Sequence, residues 1–503
     1  MLLHIKAVFA TLGVLLMFLG AALLLPMVVG VYYGEAAWWT FGVTAAFSCL
    51  TGFVMWRGLK NFSGDLGIRE GFAVVGLSWF VLSLVGSVPF VLGGVLDSYA
   101  DAFFETMSGF TTTGATILGG GGNPAISEIP HAFLFWRSLA QWLGGMGIIV
   151  LTLAILPILG IGGMQLFKAE VPGPSADKIT PRVRETARRL WFIYVGFTVA
   201  QVLLLLPAMS LFDSINHAFT TMATGGFSTQ DSSIGEYGSA YVEWVITVFM
   251  FIGGVNFVLH YHMLKGRAGL LFRDGEFRVY AAIALVAMLL VAIGIWDTTV
   301  GAMPWAGREA GAFEGYATLS DALRRAAFQT VAIMTSTGYT IADYQIWPPL
   351  GVGIIFLLFF CGGMAGSTSG GVKIIRHMLM FKNSFREIRQ LLHPAAVIHV
   401  RLGGDVVPKD ILSNVLSFIV LYVGGIGFGT MIMFVLGLDL LSAFSAAIAS
   451  VGNIGPAFGS LGPTGNYADI PVLGKWVLSF LMMAGRLELF TVLILLAPAF
   501  WKR

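Results

Sequence analysis

The chain reads as an all-α membrane protein, with two N-terminal helices followed by four helix–pore-loop–helix repeats around one pseudo-fourfold central pore. Three observations predict this fold. The 503 residues are 57% hydrophobic and 11% charged, with a mean hydropathy of +0.83, against about 25% charge in a soluble domain. Four Thr/Ser-Gly turns each follow an apolar segment too short to cross a bilayer. The basic residues are also unevenly spread: 23 of the 29 fall in 57–70, 160–190, 262–278 and 373–409 or are Lys6, Lys502 and Arg503.

A spanning helix needs ~20 mostly apolar residues. Ten segments qualify, at about 7–31, 37–56, 72–96, 131–159, 190–211, 241–262, 279–296, 350–380 (interrupted), 411–437 and 472–498. The first is too long for a signal h-region and lacks a clear cleavage site, so it reads as a retained span. Ten spans place every basic cluster on one side of the bilayer. The opposite side includes 97–130 and 212–240, which hold no Lys or Arg. This asymmetry puts both termini in the cytoplasm. A net charge of +2 carries no footprint for nucleic acid. The order of elements divides the chain into two extra helices over 1–69 and repeats over 70–187, 188–277, 278–408 and 409–503. The repeats have diverged, and what recurs is the succession of elements.

Four shorter apolar segments, near 98–111, 213–224, 321–335 and 440–450, precede the turns and read as re-entrant half-helices. Asp101 (with Ser98), Asp213 (with Ser214), Asp321 (with Ser320) and Asp439 stand near their starts, and Asp or Ser there is expected to cap free N–H groups. The C-terminus of each half-helix then points to the membrane middle, where its partial negative charge favours a cation. Irregular backbone at that depth must be enclosed by protein or line a watery cavity.

The turns are Thr111-Thr112-Thr113-Gly114, Thr224-Gly225-Gly226, Ser336-Thr337-Gly338 and Ser450-Val451-Gly452-Asn453. Aligned on glycine, they place Gly114, Gly226, Gly338 and Gly452 at one level, with Gly225 the alternative in the second. Glycine permits the dihedrals that turn carbonyls toward an axis. Carbonyls from four quadrants can replace the water shell of a small cation, as in potassium filters. The fourth turn departs from the others, since Val451 has no hydroxyl and Asn453 replaces an apolar or aromatic residue. Close helix packing by small residues explains Gly144-Gly145-Met146-Gly147 and Gly253-Gly254. It does not explain four turns each preceded by a half-helix.

Residues 362–371 interrupt the eighth span with Gly362, Gly363, Ala365, Gly366, Ser367, Thr368, Ser369, Gly370 and Gly371. Each glycine costs about 1 kcal/mol in a helix relative to Ala. Two readings stand, a kinked helix packed on a neighbour or an intramembrane loop below the turns that obstructs the pore. Lys373 follows at the cytoplasmic end, where it could position such a loop. Arg486 lies deep in the last span, where a charge needs a cavity or a partner. It reads either as a pore-facing cation or as the partner of Glu488 or Glu105, and Glu105 could instead stabilise the first turn. The basic residues Arg182, Arg184, Arg188 and Arg189, and the stretch 382–409, suit positive-inside placement or a docking surface for a cytosolic partner.

Enzymatic motifs are not present. There is no His-Glu-x-x-His, and the run 362–371 before Lys373 lacks phosphate-loop spacing. The eight histidines are scattered, and Cys49 and Cys361 fit no metal spacing. No organic cofactor is indicated, and the ion is cargo.

The segments Ser108-Gly109-Phe110-Thr111-Thr112-Thr113-Gly114, Trp136-Arg137-Ser138-Leu139-Ala140-Gln141-Trp142-Leu143-Gly144-Gly145-Met146-Gly147 and Ala223-Thr224-Gly225-Gly226-Phe227-Ser228-Thr229 are specific as a set. So are 362–373 and Val451-Gly452-Asn453-Ile454-Gly455-Pro456. Through them the chain resembles the potassium-translocating subunits of the Trk/Ktr/HKT superfamily, and the two leading helices favour the TrkH type. The resemblance implies a K⁺-selective pore in each subunit of a homodimer in a bacterial inner membrane. It also implies a gating loop at 362–371 and a TrkA-like cytosolic nucleotide-binding ring that regulates it. In relatives, Ser at the first filter glycine accompanies Na⁺ permeation, and Gly114 therefore points to K⁺. A symporter coupling K⁺ to H⁺ or Na⁺ is the alternative. It needs intramembrane carboxylates, and only Glu105 and Glu488 come close.

Overall fold

A computed structural model describes residues 4–59, 67–154, 179–296, 313, 315–403 and 405–501. The described residues are mostly helical, with one two-stranded hairpin pairing Arg401 with Val406 and Leu402 with Asp405. Among the described residues six helices are long and apolar enough to cross a membrane. They are Ile5–Tyr32, Trp38–Leu59, Arg69–Leu92, Glu185–Leu205, Gly275–Trp296 and Lys409–Val435. The expected span at 131–159 appears as His131–Ala154. Part of the expected basic loops, including Lys60, Lys168 and Lys178, lies outside the described residues, as do Lys502 and Arg503.

The other expected spans are not continuous. The segment at 241–262 divides into Ala240–Gly253 and Phe257–Leu264, bent by 103°. Gly253-Gly254 ends the first piece, and Asn256 Oδ1 starts the second by accepting from the Val258 N–H at 2.9 Å. The segment at 350–380 divides into Pro349–Leu358 and Ile374–Leu392, with irregular chain between. The last span breaks between Val472–Arg486 and Phe490–Leu496, where Glu488 and Leu489 take φ of 62° and 45°.

Four short helices, Tyr99–Phe110, Leu211–Met222, Leu319–Met334 and Leu440–Gly452, precede the four turns. Their capping residue follows the expectation at the first and fourth and differs at the second and third. Ser210 and Thr318 are the N-caps of the second and third, and each hydroxyl accepts from the N–H of the aspartate three residues on, Asp213 at 3.0 Å and Asp321 at 3.1 Å. A serine or threonine reaches that N–H from outside the first turn, so the aspartates fall within the helix instead of at its cap. Ser98 caps the first without a side-chain bond. Asp439 caps the fourth, accepting from Leu441 and Ser442 N–H at 3.0 Å each. The bonds from Ser442 hold its carboxyl below the ordinary range.

These half-helices, not the long spans, form the centre of the molecule. The membrane-length helices are only 28–50% buried, and they turn residues such as Leu50, Val420 and Phe428 outward, as lipid contact requires. By contrast, every residue from Asp101 to Phe110 and from Ala326 to Met334 is buried. Each half-helix also packs on a span from the segment before it. Leu211–Met222 lies on His131–Ala154, and Leu319–Met334 lies on Ala240–Gly253. Phe444 of the fourth meets Phe356 and Phe360. The first packs on Val472–Arg486, closing the circle between the two ends of the chain.

A buried ion pair marks that closure, with Lys475 Nζ donating to Asp101 Oδ1 at 2.6 Å and side-chain exposures of 6% and 12%. Removing one partner leaves an uncompensated charge, at a cost of about 3–5 kcal/mol. Lys475→Met is therefore expected to lower the thermal unfolding midpoint in detergent strongly. The double variant Asp101→Leu/Lys475→Met should recover most of the loss in the same assay.

Candidate cation site

The four turns share one backbone geometry. The N–H groups of Thr113, Gly225, Thr337 and Ile454 donate to carbonyls five residues back, those of Ser108, Thr220, Ala332 and Ala449, at 2.8–2.9 Å. The residue before each of these is left-handed, with φ of 52° at Thr112, 52° at Thr224, 55° at Ser336 and 52° at Asn453. A left-handed glycine follows each, with φ of 81° at Gly114, 77° at Gly226, 75° at Gly338 and 94° at Gly455. A β-branched residue in this region is a genuine outlier, and such strain persists only where the surroundings over-determine it.

This register corrects the glycine alignment of the fourth turn. Ser450, Val451 and Gly452 remain in the half-helix. Asn453, a residue that tolerates the left-handed region and often ends helices, occupies the level of Thr112, and Gly455 stands where Gly452 was expected. In the second turn the left-handed glycine is Gly226, and Gly225 lies at the level of Thr113.

The four left-handed glycines close a ring. A Cβ at Gly114 would strike the carbonyl of Gly225, one at Gly226 that of Thr337, and one at Gly338 that of Ile454. A Cβ at Gly455 would meet the Thr113 carbonyl at 2.6 Å. Each glycine thus faces the carbonyl that precedes the next glycine, in the order one, two, three, four, one. All four line a cavity of about 240 Å³, together with Arg137, Asp231 and Tyr467.

Side chains hold the ring from behind. The Thr111 hydroxyl donates to the Met107 carbonyl at 2.7 Å and lies 2.8 Å from the Thr113 hydroxyl. The third turn repeats this with Thr335, Val331 and Thr337, at 2.7 Å for both contacts. Asn453 Nδ2 donates to the Thr113 hydroxyl and to the Met482 carbonyl, each at 2.9 Å, tying the fourth turn to the first. Glu105 accepts from the Ile117 N–H at 3.0 Å and from Arg137 Nε at 2.8 Å, while Arg137 Nη1 donates to the Ser228 carbonyl at 3.1 Å. This buried pair joins the chain leaving the first turn to the chain leaving the second.

The segment 359–373 is an irregular loop under the ring, not a kinked helix. The Gly370 N–H donates to Ser336 Oγ at 2.5 Å, and a Cβ at Gly370 would stand 2.9 Å from Asn453 Cβ. The Thr368 hydroxyl shares its one proton between the carbonyls of Met222 and Gly253, at 3.0 and 3.1 Å, and the Thr368 N–H also donates to the Gly253 carbonyl at 3.3 Å. The Met364 N–H donates to the Gly254 carbonyl at 2.9 Å, and the Phe257 N–H to the Gly366 carbonyl at 3.1 Å. The loop therefore rests on the bent span and touches the base of the third and fourth turns. Gly366 and Gly371 take φ of 76° and 66°, which glycine adopts without strain. Lys373 Nζ donates to the Ser369 carbonyl at the loop's C-terminal end.

Arg486 is 3% exposed and donates from Nη1 to the Thr368 carbonyl at 2.7 Å. Its Nε and Nη2 have no hydrogen-bond partner among the described residues. It pairs with neither of the carboxylates considered for it, because Glu488 is bound by Arg376 and Glu105 by Arg137. Glu276 belongs to no motif in the sequence. Its Oε1 accepts from the N–H groups of Ala365 and Ile375 at 2.8 and 3.1 Å, clasping both limbs of the loop to the start of Gly275–Trp296. The available signal was an acid at the head of an apolar span.

A ring of re-entrant turns inside a bundle of apolar helices defines a multi-pass membrane protein of the ion-translocating class. A family model described as TrkH, cation transport protein, matches residues 41–503, and the chain belongs to that family. It is 39% identical over 503 residues to the Trk system potassium uptake protein TrkH of Salmonella typhimurium, covering 99% of this chain and 100% of that one. It is 38% identical to its Escherichia coli K12 counterpart over the same shares. The crystal structure of the potassium transporter TrkH from Vibrio parahaemolyticus superposes with a TM-score of 0.88 at 36% identity, covering 99% of this chain and 100% of that chain.

The register separates two glycines experimentally. Gly455→Ala places a Cβ against the Thr113 carbonyl at a φ that L-residues avoid, and is expected to lower the preference for Rb⁺ over Na⁺ in proteoliposome uptake by about tenfold or more. The nearest atoms to a Cβ at Gly452 are the movable side chains of Ile454 and Tyr422, so Gly452→Ala should keep the parent's preference in the same assay.

Proposed function

We propose that this chain is a K⁺-translocating subunit. It takes up K⁺ across the bacterial inner membrane through a channel-like pore, with the membrane potential as driving force. The observation that carries this reading is the closed ring of four strained turns, each at the C-terminus of a buried half-helix. Four such ends direct partial negative charge at one point, and ring carbonyls there can replace the ion's hydration shell. The names of the relatives support K⁺ as the ion.

In this reading the repeats at 70–187, 188–277, 278–408 and 409–503 each contribute one quadrant. The filter comprises Thr111–Gly114, Thr224–Gly226, Ser336–Gly338 and Asn453–Gly455. The loop at 362–371 is the gate, held shut by Glu276, Lys373 and its contacts with the bent span. Arg486 adds a positive charge beneath the filter and raises the barrier to a cation. Both termini are cytoplasmic. The subunit works as a homodimer with a TrkA-like cytosolic nucleotide-binding ring that pulls on the gate through 374–409. A coupled symporter would need a carboxylate open to a second ion. The pairing of Glu105 and Glu488 with arginines weighs toward the uncoupled pore.

Rb⁺ uptake by the reconstituted chain, with Na⁺ as competitor, tests this directly. Gly114→Ser is expected to reduce the preference for Rb⁺ over Na⁺ by about tenfold, equivalent to ~1.4 kcal/mol in relative binding. An unchanged ratio would remove the filter assignment. Arg486→Ala should raise basal flux without a regulator by roughly a hundredfold or more, since like unit charges a few ångströms apart repel by ~4 kcal/mol at an effective dielectric of about 20. Unaltered basal flux would show that the guanidinium is no part of the barrier.

A further inference from the structure

Two of the four turns are braced from within by a pair of threonine hydroxyls, Thr111 with Thr113 and Thr335 with Thr337. The second turn cannot be. At the equivalent positions it carries Ala223 and Gly225, which have no hydroxyl. Yet its backbone matches the others, with φ of 52° at Thr224 and 77° at Gly226. Something else holds it.

Gln141, in the middle of His131–Ala154, is fully buried. Its Nε2 donates to the Gly225 carbonyl at 2.7 Å, and its Oε1 accepts from the Phe227 N–H at 3.1 Å. One partner is an acceptor and the other a donor, so the orientation of the amide is dictated. Both polar ends of one side chain are thus spent on the two residues that flank Gly226. Gly225 is not left-handed, so its backbone does not require glycine. What the missing side chain provides is room: a Cβ at Gly225 would overlap the Gln141 carboxamide, with Nε2 2.8 Å away. Gly225 and Gln141 are two halves of one device.

We propose that Gln141 is a positioning residue for the second turn. It replaces the hydroxyl pair of the first and third turns and sets the placement of Gly226 on which ion discrimination depends. The inference rests on the filter reading above. It predicts an exchange: the glutamine brace can be removed if the hydroxyl brace is installed in its place.

The test uses the full chain in proteoliposomes, with Rb⁺ uptake measured against rising Na⁺. Gln141→Met preserves length and apolar packing while removing both hydrogen bonds. It should lower the preference for Rb⁺ over Na⁺ by about five- to tenfold, the effect of losing buried hydrogen bonds. The triple variant Gln141→Ala/Ala223→Thr/Gly225→Thr should restore the preference to within about twofold of the parent. A Gln141→Met protein with unchanged preference overturns the proposal, and so does a triple variant no more selective than Gln141→Ala alone. Should Gln141→Met fail to fold, the triple variant decides, because restoring both folding and selectivity needs the exchange to be real. Gly114→Ser is run beside them. If it alters selectivity and Gln141→Met does not, only the brace falls; if neither does, the filter reading falls.

Discussion

Each ring glycine stands where a β-carbon would strike the carbonyl before the next ring glycine. This close approach is the constraint on which the rest of the molecule depends. Four segments separated by more than a hundred residues must meet within the reach of one backbone atom. No single segment can hold that geometry, since three of the four left-handed residues before the glycines are Thr or Ser, at a cost of ~1–2 kcal/mol each. The burial of the half-helices offsets that cost. They are more enclosed than the spans around them because their C-terminal ends must arrive at one point.

The circle of packing explains how non-identical segments reach equivalent positions. Each half-helix leans on a span from the preceding segment, and the Lys475–Asp101 pair joins the last to the first. The bracing behind the turns is not fourfold. Threonine pairs serve the first and third, Gln141 the second, and Asn453 the fourth. Backbone geometry is kept while side-chain chemistry varies, because the ring constrains carbonyls and glycines and leaves the space behind them to whatever fills it.

The architecture was largely legible in the chain. Apolar length marked the spans, segments too short to cross marked the half-helices, and glycine marked the turns. The misreadings have physical causes. Glycine identity alone could not set the fourth register, because Gly452 is a helical residue and the left-handed position there belongs to an asparagine. Continuous hydropathy hid the breaks at 254–256 and 487–489, since a bend inside protein costs no apolar residues. Arg486 had two candidate partners, its sequence neighbour Glu488 and the half-helix acid Glu105, but these are satisfied by Arg376 and Arg137 from other elements. Glu276 and Gln141 were out of reach for the same reason. Their partners are backbone atoms some ninety residues away, which no local pattern signals.

The bend between Ala240–Gly253 and Phe257–Leu264 has a consequence for wetting. It frees the carbonyls of Gly253 and Gly254, which the loop satisfies through Thr368 and Met364, and Thr368 also satisfies the Met222 carbonyl. Departure of the loop strips all three of their partners at a depth where lipid offers none. Only water can replace them, so the space below the ring must hydrate as the loop leaves. In the proposed reading of this loop as a gate, the same water is what an ion shedding its last carbonyls needs in order to move on. Opening the path and supplying the ion with solvent would then be one event, written into the backbone of a broken helix.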